Sequence, residues 1–77
     1  MPKPMLHNQI RRLRFENNEM TQQQLADKTG VTRQTIVAIE AAKYSPSLEL
    51  AFKIAAAFGK RLEEVFQYHS GKPVLRR

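Results

Sequence analysis

Two adjacent residues near the middle of the chain, Arg33 and Gln34, carry side chains whose donors and acceptors match the edges of DNA bases. A guanidinium can donate two parallel hydrogen bonds to guanine O6 and N7, and a glutamine carboxamide can pair with adenine N6 and N7. Val37 and Ala38 follow one turn later, where apolar groups suit contact with thymine methyl groups. For Val37, partial burial against a neighbouring helix explains the residue equally well. These four positions form a candidate base-reading face.

The sequence shows no pattern typical of catalysis or of metal binding. The two histidines, His7 and His69, lie far apart, and neither forms a helical pair with a carboxylate. Glu63 and Glu64 are adjacent, so they face different sides of a helix and are most simply solvated charges. The three serines are typical cap and loop residues, and there is no cysteine, phosphate loop or dinucleotide motif. We therefore expect no enzymatic activity, no metal site and no cofactor.

Charge and length point towards a small domain that meets a polyanion. Seventy-seven residues suffice for one domain, and a net charge of +6 on so small a surface attracts nucleic acid. A protein that is merely basic is the alternative. The basic residues cluster early, at Arg11, Arg12 and Arg14, and again at the end, at Lys72, Arg76 and Arg77. No apolar run is long enough to cross a bilayer, and the first residues lack a signal peptide, so we expect a cytoplasmic protein without membrane contact.

Capping residues and apolar spacing predict the elements that position this face. A first helix starts near His7 or Asn8 and carries Ile10, Leu13 and Phe15 inward as far as about Glu16. Thr21 and Gln24 form a capping box, which predicts a second helix from about Gln22 to Lys28. Thr32 caps the third helix, from about Arg33 to Ala41, with Ile36 and Ile39 on its buried face.

The second half of the chain predicts two more helices. Ser47 caps a fourth helix, which Gly59 ends and whose buried residues are Leu48, Ala51, Ile54, Ala55 and Phe58. A short fifth helix runs from Arg61 to Phe66 and turns Leu62, Val65 and Phe66 inward. Gln67 to His69 can form a short strand beside residues near Met5. We therefore expect three parts: an extension over 1–6, a DNA-binding domain over 7–66 and a tail over 67–77. The tail forms a short strand or a dimer contact.

The most specific pattern is the pair of short helices joined by a four-residue turn. Such a motif needs a small residue at the helix crossing, a glycine in the turn and apolar residues that fix the angle. An ordinary capped turn between two bundle helices is the alternative. All six positions agree with the motif: Leu25, Ala26, Gly30, Val31, Ile36 and Ile39.

The runs MTQQQLADKTGVTRQTIVAIE, KYSPSLELAFKIAAAFG and LEEVF resemble the Cro/CI-like (xenobiotic-response-element type) helix-turn-helix family of prokaryotic transcription regulators, in particular its compact single-domain members. The resemblance covers about Asn8 to Phe66. It implies an all-α fold, a compact five-helix bundle with the helix-turn-helix in helices 2 and 3. It also implies a homodimer on a pseudo-palindromic operator and sequence-specific binding of double-stranded DNA, with repression as the expected mode.

The resemblance further implies roles for individual residues. Arg33 and Gln34 match base-reading positions, and Gln22 matches a phosphate-binding position; further candidates for the DNA backbone are Thr32, Thr35, Lys43 and Tyr44, although the Tyr44 ring is better suited to the core. The family pattern pairs Arg14 with Glu40, and two solvated side chains are the alternative.

Two departures from the family pattern affect helix ends. Ala41-Ala42 replaces the usual Asn-Gly, so Ala42 takes a strained positive φ or the turn changes form. Arg61 stands where the family has Ser or Thr, which predicts a poorly capped fifth helix.

A different role, as the antitoxin of a toxin–antitoxin pair, would add a small toxic protein as partner. A long extra segment for holding that protein would favour this role, and the eleven-residue tail offers little.

Overall fold

A computed structural model describes residues 5–69 of the chain, and most of these residues are helical. The expected 1–6 extension and the tail therefore lie outside the described residues, apart from Met5, Leu6 and 67–69. The elements, in chain order, are β1 (Met5–Asn8), α1 (Ile10–Glu16), α2 (Gln22–Thr29), α3 (Arg33–Glu40), α4 (Leu48–Phe58), α5 (Leu62–Val65) and β2 (Phe66–His69). The five-helix fold expected from the sequence is confirmed.

The two strands form an antiparallel pair, which confirms the short β segment near the end of the chain. Met5 lies opposite His69 and Asn8 opposite Phe66, so both strands cross the expected domain limits at 6/7 and 66/67. The expected start of α1 at His7 or Asn8 is wrong, because these residues belong to β1. The N-cap residue of α1 is Gln9, whose side chain makes no cap bond, but Asn8 Oδ1 accepts a hydrogen bond from the Ile10 amide at 3.1 Å.

Side-chain caps begin the three central helices where the sequence predicts them. Thr21 accepts from the Gln24 amide at 2.9 Å, and the Gln24 side chain accepts from the Thr21 amide at 2.8 Å. Thr32 and Ser47 accept from the amides of residues 35 and 50 at 3.2 and 3.1 Å. Each cap satisfies amides that have no partner inside their own helix, which lets helices of 8–11 residues start at fixed positions.

The N-terminal end of the fifth helix is only partly capped. Arg61 supplies no acceptor for the first turn, as expected from its side chain, whereas Glu64 reaches back and accepts from the Arg61 amide at 2.7 Å. One of the two bonds of a capping box is therefore made.

The core joins every described helix and the second strand. Its buried apolar residues are Ile10, Leu13, Met20, Leu25, Ala26, Ile36, Ile39, Ala51, Ile54, Ala55, Phe58, Val65 and Phe66. Val31 and Leu62 are partly buried and pack against it. The helix-turn-helix angle is thus set from inside the core.

Three apolar side chains expected in the core are exposed. Phe15 is 68% exposed because it lies about 200° around α1 from Leu13, on the opposite side of the helix. Leu48, the first residue of α4, is also 68% exposed, and the helix meets the core from Leu50 and Ala51 onward. The Tyr44 ring is 55% exposed in the loop between α3 and α4.

An ion pair joins α1 to the end of α3. Arg14 Nε and Nη2 donate to the two carboxylate oxygens of Glu40 at 3.0 and 2.9 Å, and the side chains are only 16% and 12% exposed. Arg14 Nη1 also donates to the Met20 carbonyl at 2.8 Å. The planar guanidinium matches a carboxylate with two parallel bonds, so the contact fixes direction as well as distance.

The C-terminal end of α3 takes a left-handed turn without glycine. Ala42 has φ +62°, the first of the two alternatives that the sequence leaves open. The Ala42 amide donates to the Ile39 carbonyl at 2.9 Å, and the Lys43 amide to the Ala38 carbonyl at 2.9 Å. This is the double closure of a Schellman motif, in which an alanine replaces the usual glycine.

We expect Ala42→Gly to raise the free energy of unfolding by about 0.5–1 kcal/mol, as measured by urea denaturation. The Cβ of an L-residue costs roughly 1–2 kcal/mol in the left-handed region, and the greater entropy of unfolded glycine offsets part of this gain. Ala41→Gly is the matched control, because Ala41 has φ −81° and should lose stability. Destabilisation by Ala42→Gly would contradict the left-handed turn.

We expect Arg14→Met to lower the free energy of unfolding by about 2–4 kcal/mol, because the nearly buried Glu40 carboxylate loses its partner. Methionine retains most of the apolar stem. The control is Arg12→Met, whose pair with Glu16 spans 3.6 Å with side chains 60% and 54% exposed. That change should lower stability by less than about 0.5 kcal/mol. Equal losses in both variants would rule out a special role for the Arg14 pair.

Candidate nucleic-acid interface

The third helix has a buried face and an exposed face. Ile36 and Ile39 are 0% and 1% exposed, so they fix which side of α3 faces the core. Thr32 caps the helix and its hydroxyl lies 3.0 Å from the Thr35 hydroxyl. The start of the helix and its rotation about its own axis are therefore both determined by contacts within the domain.

The exposed face carries the four candidate base-reading residues. Arg33 and Gln34 are exposed in the first turn, and Val37 is 40% exposed one turn later. Ala38 is half-buried. At 40% exposure Val37 is also partly covered, so both explanations of this residue fit the structure. The face thus combines two long hydrogen-bonding side chains with a small apolar surface.

The candidate backbone-contact residues surround this face on three segments. Gln22 is the first residue of α2 and is half-buried, whereas Lys43 and Tyr44 are exposed in the loop after α3. Thr32 and Thr35 lie at the start of α3. Neither α2 nor α3 has an acidic residue in its first turn, so the positive ends of both helix dipoles lack a neutralising side chain there.

The turn at Ala42 decides how Lys43 is presented. The backbone amide of Lys43 donates to the Ala38 carbonyl, which leaves the side-chain ammonium as the remaining donor of this residue. The side chain is exposed. The departure from glycine therefore leaves the turn in its usual form and keeps Lys43 at the end of the exposed face.

Sequence reasoning missed the contribution of Asn8 to this site. The Asn8 Nδ2 donates to the Ile39 carbonyl at 2.9 Å and lies 3.5 Å from the Glu40 carbonyl. An asparagine just before a helix signals a cap, and Asn8 does accept from the Ile10 amide. Nothing local indicates the second contact, because the partner carbonyl is 31 residues away.

Residues 5–69 lack a metal-binding cluster and a membrane-crossing helix. This part of the chain contains no cluster of His, Asp and Glu that could hold a metal ion. None of its helices has the length and apolar character needed to cross a membrane. Its grooves are open, and one of about 420 Å³ lies where the link between α1 and α2 meets α2 and the end of α4, with Asn18, Asp27 and Ala57 in its lining.

Comparisons with known proteins agree with this architecture. Residues 10–65 match the model of the Helix-turn-helix family of the Cro/CI type. The chain is 52% identical over 63 residues to an uncharacterized HTH-type transcriptional regulator of Methanocaldococcus jannaschii, covering 82% of this chain and 94% of that protein. An uncharacterized HTH-type transcriptional regulator of Bacillus subtilis is 44% identical over 61 residues, with coverages of 79% and 91%.

A solved structure shows the same fold. The crystal structure of a candidate DNA-binding protein from Bacteroides fragilis superposes with a TM-score of 0.72 at 25% identity, covering 82% of this chain and all of that one. The family match spans the whole helical part, from the first residue of α1 to the last of α5. The chain therefore belongs to the Cro/CI-type helix-turn-helix family.

Proposed function

We propose that this protein is a transcription regulator that binds double-stranded DNA sequence-specifically, with α3 in the major groove. The main support for this proposal is that α3 has one buried face and one exposed face. Ile36 and Ile39 hold one face in the core, while Arg33, Gln34 and Val37 leave the other face exposed. A helix that enters the major groove presents such an outward face, with its N-terminal residues nearest the base edges.

Base reading is assigned to the four residues of this face. Arg33 pairs with a guanine and Gln34 with an adenine, each through two hydrogen bonds. Val37 and Ala38 contact thymine methyl groups, which suits their small apolar side chains. Each two-bond pair contributes roughly 1–3 kcal/mol of discrimination against a wrong base.

Contacts to phosphates set the register of the helix without reading sequence. Gln22 and the helix N-terminus of α2 bind one phosphate, since backbone amides and the helix dipole both favour an anion there. Thr32 and Thr35 contact the backbone near the start of α3. Lys43 and Tyr44 contact it from the loop, where both side chains are exposed.

The protein acts on its operator as a homodimer in the cytoplasm of a prokaryotic cell. One copy of α3 reads one half-site, so two copies related by a two-fold axis read a pseudo-palindrome with half-sites about 34–36 Å apart. The dimer contact is placed on α5 and β2, where Leu62 is half-buried and Tyr68 is 59% exposed. Phe66 is buried and therefore offers no surface to a second copy. A protein held over a promoter blocks polymerase sterically, which makes repression the proposed mode.

Selection of bound DNA from a random duplex pool tests the whole proposal. We expect an enriched motif with two inverted half-sites whose centres lie one helical turn apart. Enrichment of a single half-site would argue against the dimer, and absence of any motif would argue against sequence-specific binding. A reporter promoter that carries the selected site distinguishes repression from activation.

We expect Gln34→Ala to relax the preference at one base pair in each half-site, by about 1–3 kcal/mol. The same random-pool selection measures this change. Gln23→Ala is a control, since Gln23 lies on α2 and bonds to Asp27 at 2.9 Å. An unchanged motif for Gln34→Ala would show that this residue does not read a base.

We expect Lys43→Ala to weaken binding to all sequences alike and to reduce the salt dependence of the affinity by about one ion, since one phosphate contact is lost. Titrations of the binding constant against salt concentration measure the slope. The control is Lys53→Ala, because Lys53 lies on α4 beside Glu49 at 3.6 Å. A loss confined to certain sequences would assign Lys43 to base reading instead.

A further inference from the structure

The side chain of Asn8 joins three elements at the end of the recognition helix. Its Nδ2 donates to the Ile39 carbonyl at 2.9 Å, and its Oδ1 accepts from the Ile10 amide at 3.1 Å. Its own backbone lies in β1, opposite Phe66 of β2. One carboxamide therefore links the two-stranded sheet, the start of α1 and the last turn of α3.

We propose that Asn8 is a positioning residue for DNA recognition: by holding backbone carbonyls in the last turn of α3, it sets how the base-reading face lies in the groove. This inference rests on the proposed function and assigns a role to a residue that lies outside the helix-turn-helix. Asn8 touches no base in this proposal, because it acts through the helix that it holds.

The contact of Asn8 differs in kind from the ion pair beside it. Arg14 holds the Glu40 carboxylate, which is the end of a side chain with several rotatable bonds. Asn8 holds the helix backbone itself, at the carbonyls of Ile39 and Glu40. A bond to the backbone constrains the axis of the helix directly, so displacing it moves every side chain of α3.

The importance of the Asn8 hydrogen bond follows from how the two ends of α3 are held. The helix has only eight residues, and its first end is joined to α2 through the short turn at Gly30 and Val31. After its other end, residues 41–45 are exposed. The core holds one side of the helix, while Asn8 fixes the end that leads into this loop. Two hydrogen bonds between a side chain and a base edge tolerate a displacement of only a few tenths of an ångström. A small tilt of α3 therefore reduces discrimination between bases.

Asparagine is the side chain that meets both partners. A carboxamide offers one acceptor for the Ile10 amide and a donor for the Ile39 carbonyl. Aspartate keeps the acceptor, lacks the donor and would place a negative charge beside carbonyls at the negative end of the α3 dipole. Alanine lacks both functions and adds no charge. Both Asn8→Asp and Asn8→Ala lose the donor, whereas only Asn8→Asp adds a charge, so an effect that the two variants share reports on the donor.

Asn17, the C-cap residue of α1, offers a matched control. Its Nδ2 donates to the Leu13 carbonyl at 3.0 Å, at the C-terminal end of α1. Asn17→Asp and Asn17→Ala thus remove the same type of bond at a helix end and change the charge in the same way. Neither control variant alters a hydrogen bond to α3.

The experiment measures affinity for the selected operator and for an unrelated duplex, under conditions in which urea denaturation shows each full-length variant to be folded. We expect the ratio of the two affinities to fall about fivefold for both Asn8 variants, the factor that corresponds to one lost net hydrogen bond. It should change less than twofold for both Asn17 variants. In the DNA-free protein, amide hydrogen exchange of Ala41, Ala42 and Lys43 should speed up for the Asn8 variants alone.

An unchanged ratio together with lower stability would reduce Asn8 to a purely structural residue and overturn the proposal. The same conclusion would follow if the Asn17 variants lost as much discrimination. If the unaltered protein bound no DNA selectively, the proposed function would fail, and with it the role in recognition. The exchange measurement would then still show separately whether Asn8 holds the end of α3.

Discussion

The two-bond ion pair between Arg14 and Glu40 is the interaction on which the placement of α3 depends. One guanidinium joins α1 to the last residue of α3 and also holds the Met20 carbonyl in the link before α2. Since both charged side chains are mostly removed from water, their desolvation is balanced only while all these bonds are made together. The pair therefore favours one arrangement of three segments, and Asn8 adds a tie from the sheet to the same end of α3.

Short helices make this arrangement necessary. Isolated helices of seven or eight residues are unstable in water, so α1, α2 and α3 depend on caps and on the shared core. Ala26 is fully buried at the crossing of the two motif helices, with Leu25 and Ile36 beside it in the core. The caps fix where each helix begins, and the core fixes how the helices cross. The strained alanine at residue 42 lies where the chain leaves this packed region.

The separation of buried from exposed residues on α3 explains how the proposed DNA contacts are presented. Residues that hold α3 face inward or lie at its ends, and those proposed to read bases occupy the remaining face. Because the rotation of α3 is set by Ile36 and Ile39, Arg33 and Gln34 extend into solvent without needing contacts of their own. Helix N-termini without acidic residues add a positive field around this face. The proposed recognition thus relies on side chains that the fold itself does not require.

The sequence by itself determined the caps at Thr21, Thr32 and Ser47, because each cap bond spans three residues. It also determined the six positions of the helix-turn-helix motif, of which Leu25, Ala26, Ile36 and Ile39 are buried in the core. The exposure of Phe15 also follows from helix geometry, since it lies opposite Leu13 on α1. Only the tertiary structure decided that Leu48 remains exposed, that β1 replaces the expected start of α1, and that Asn8 reaches α3. The physical reason is range: local patterns specify hydrogen bonds within one turn, whereas a bond across 31 residues exists only after the helices have packed.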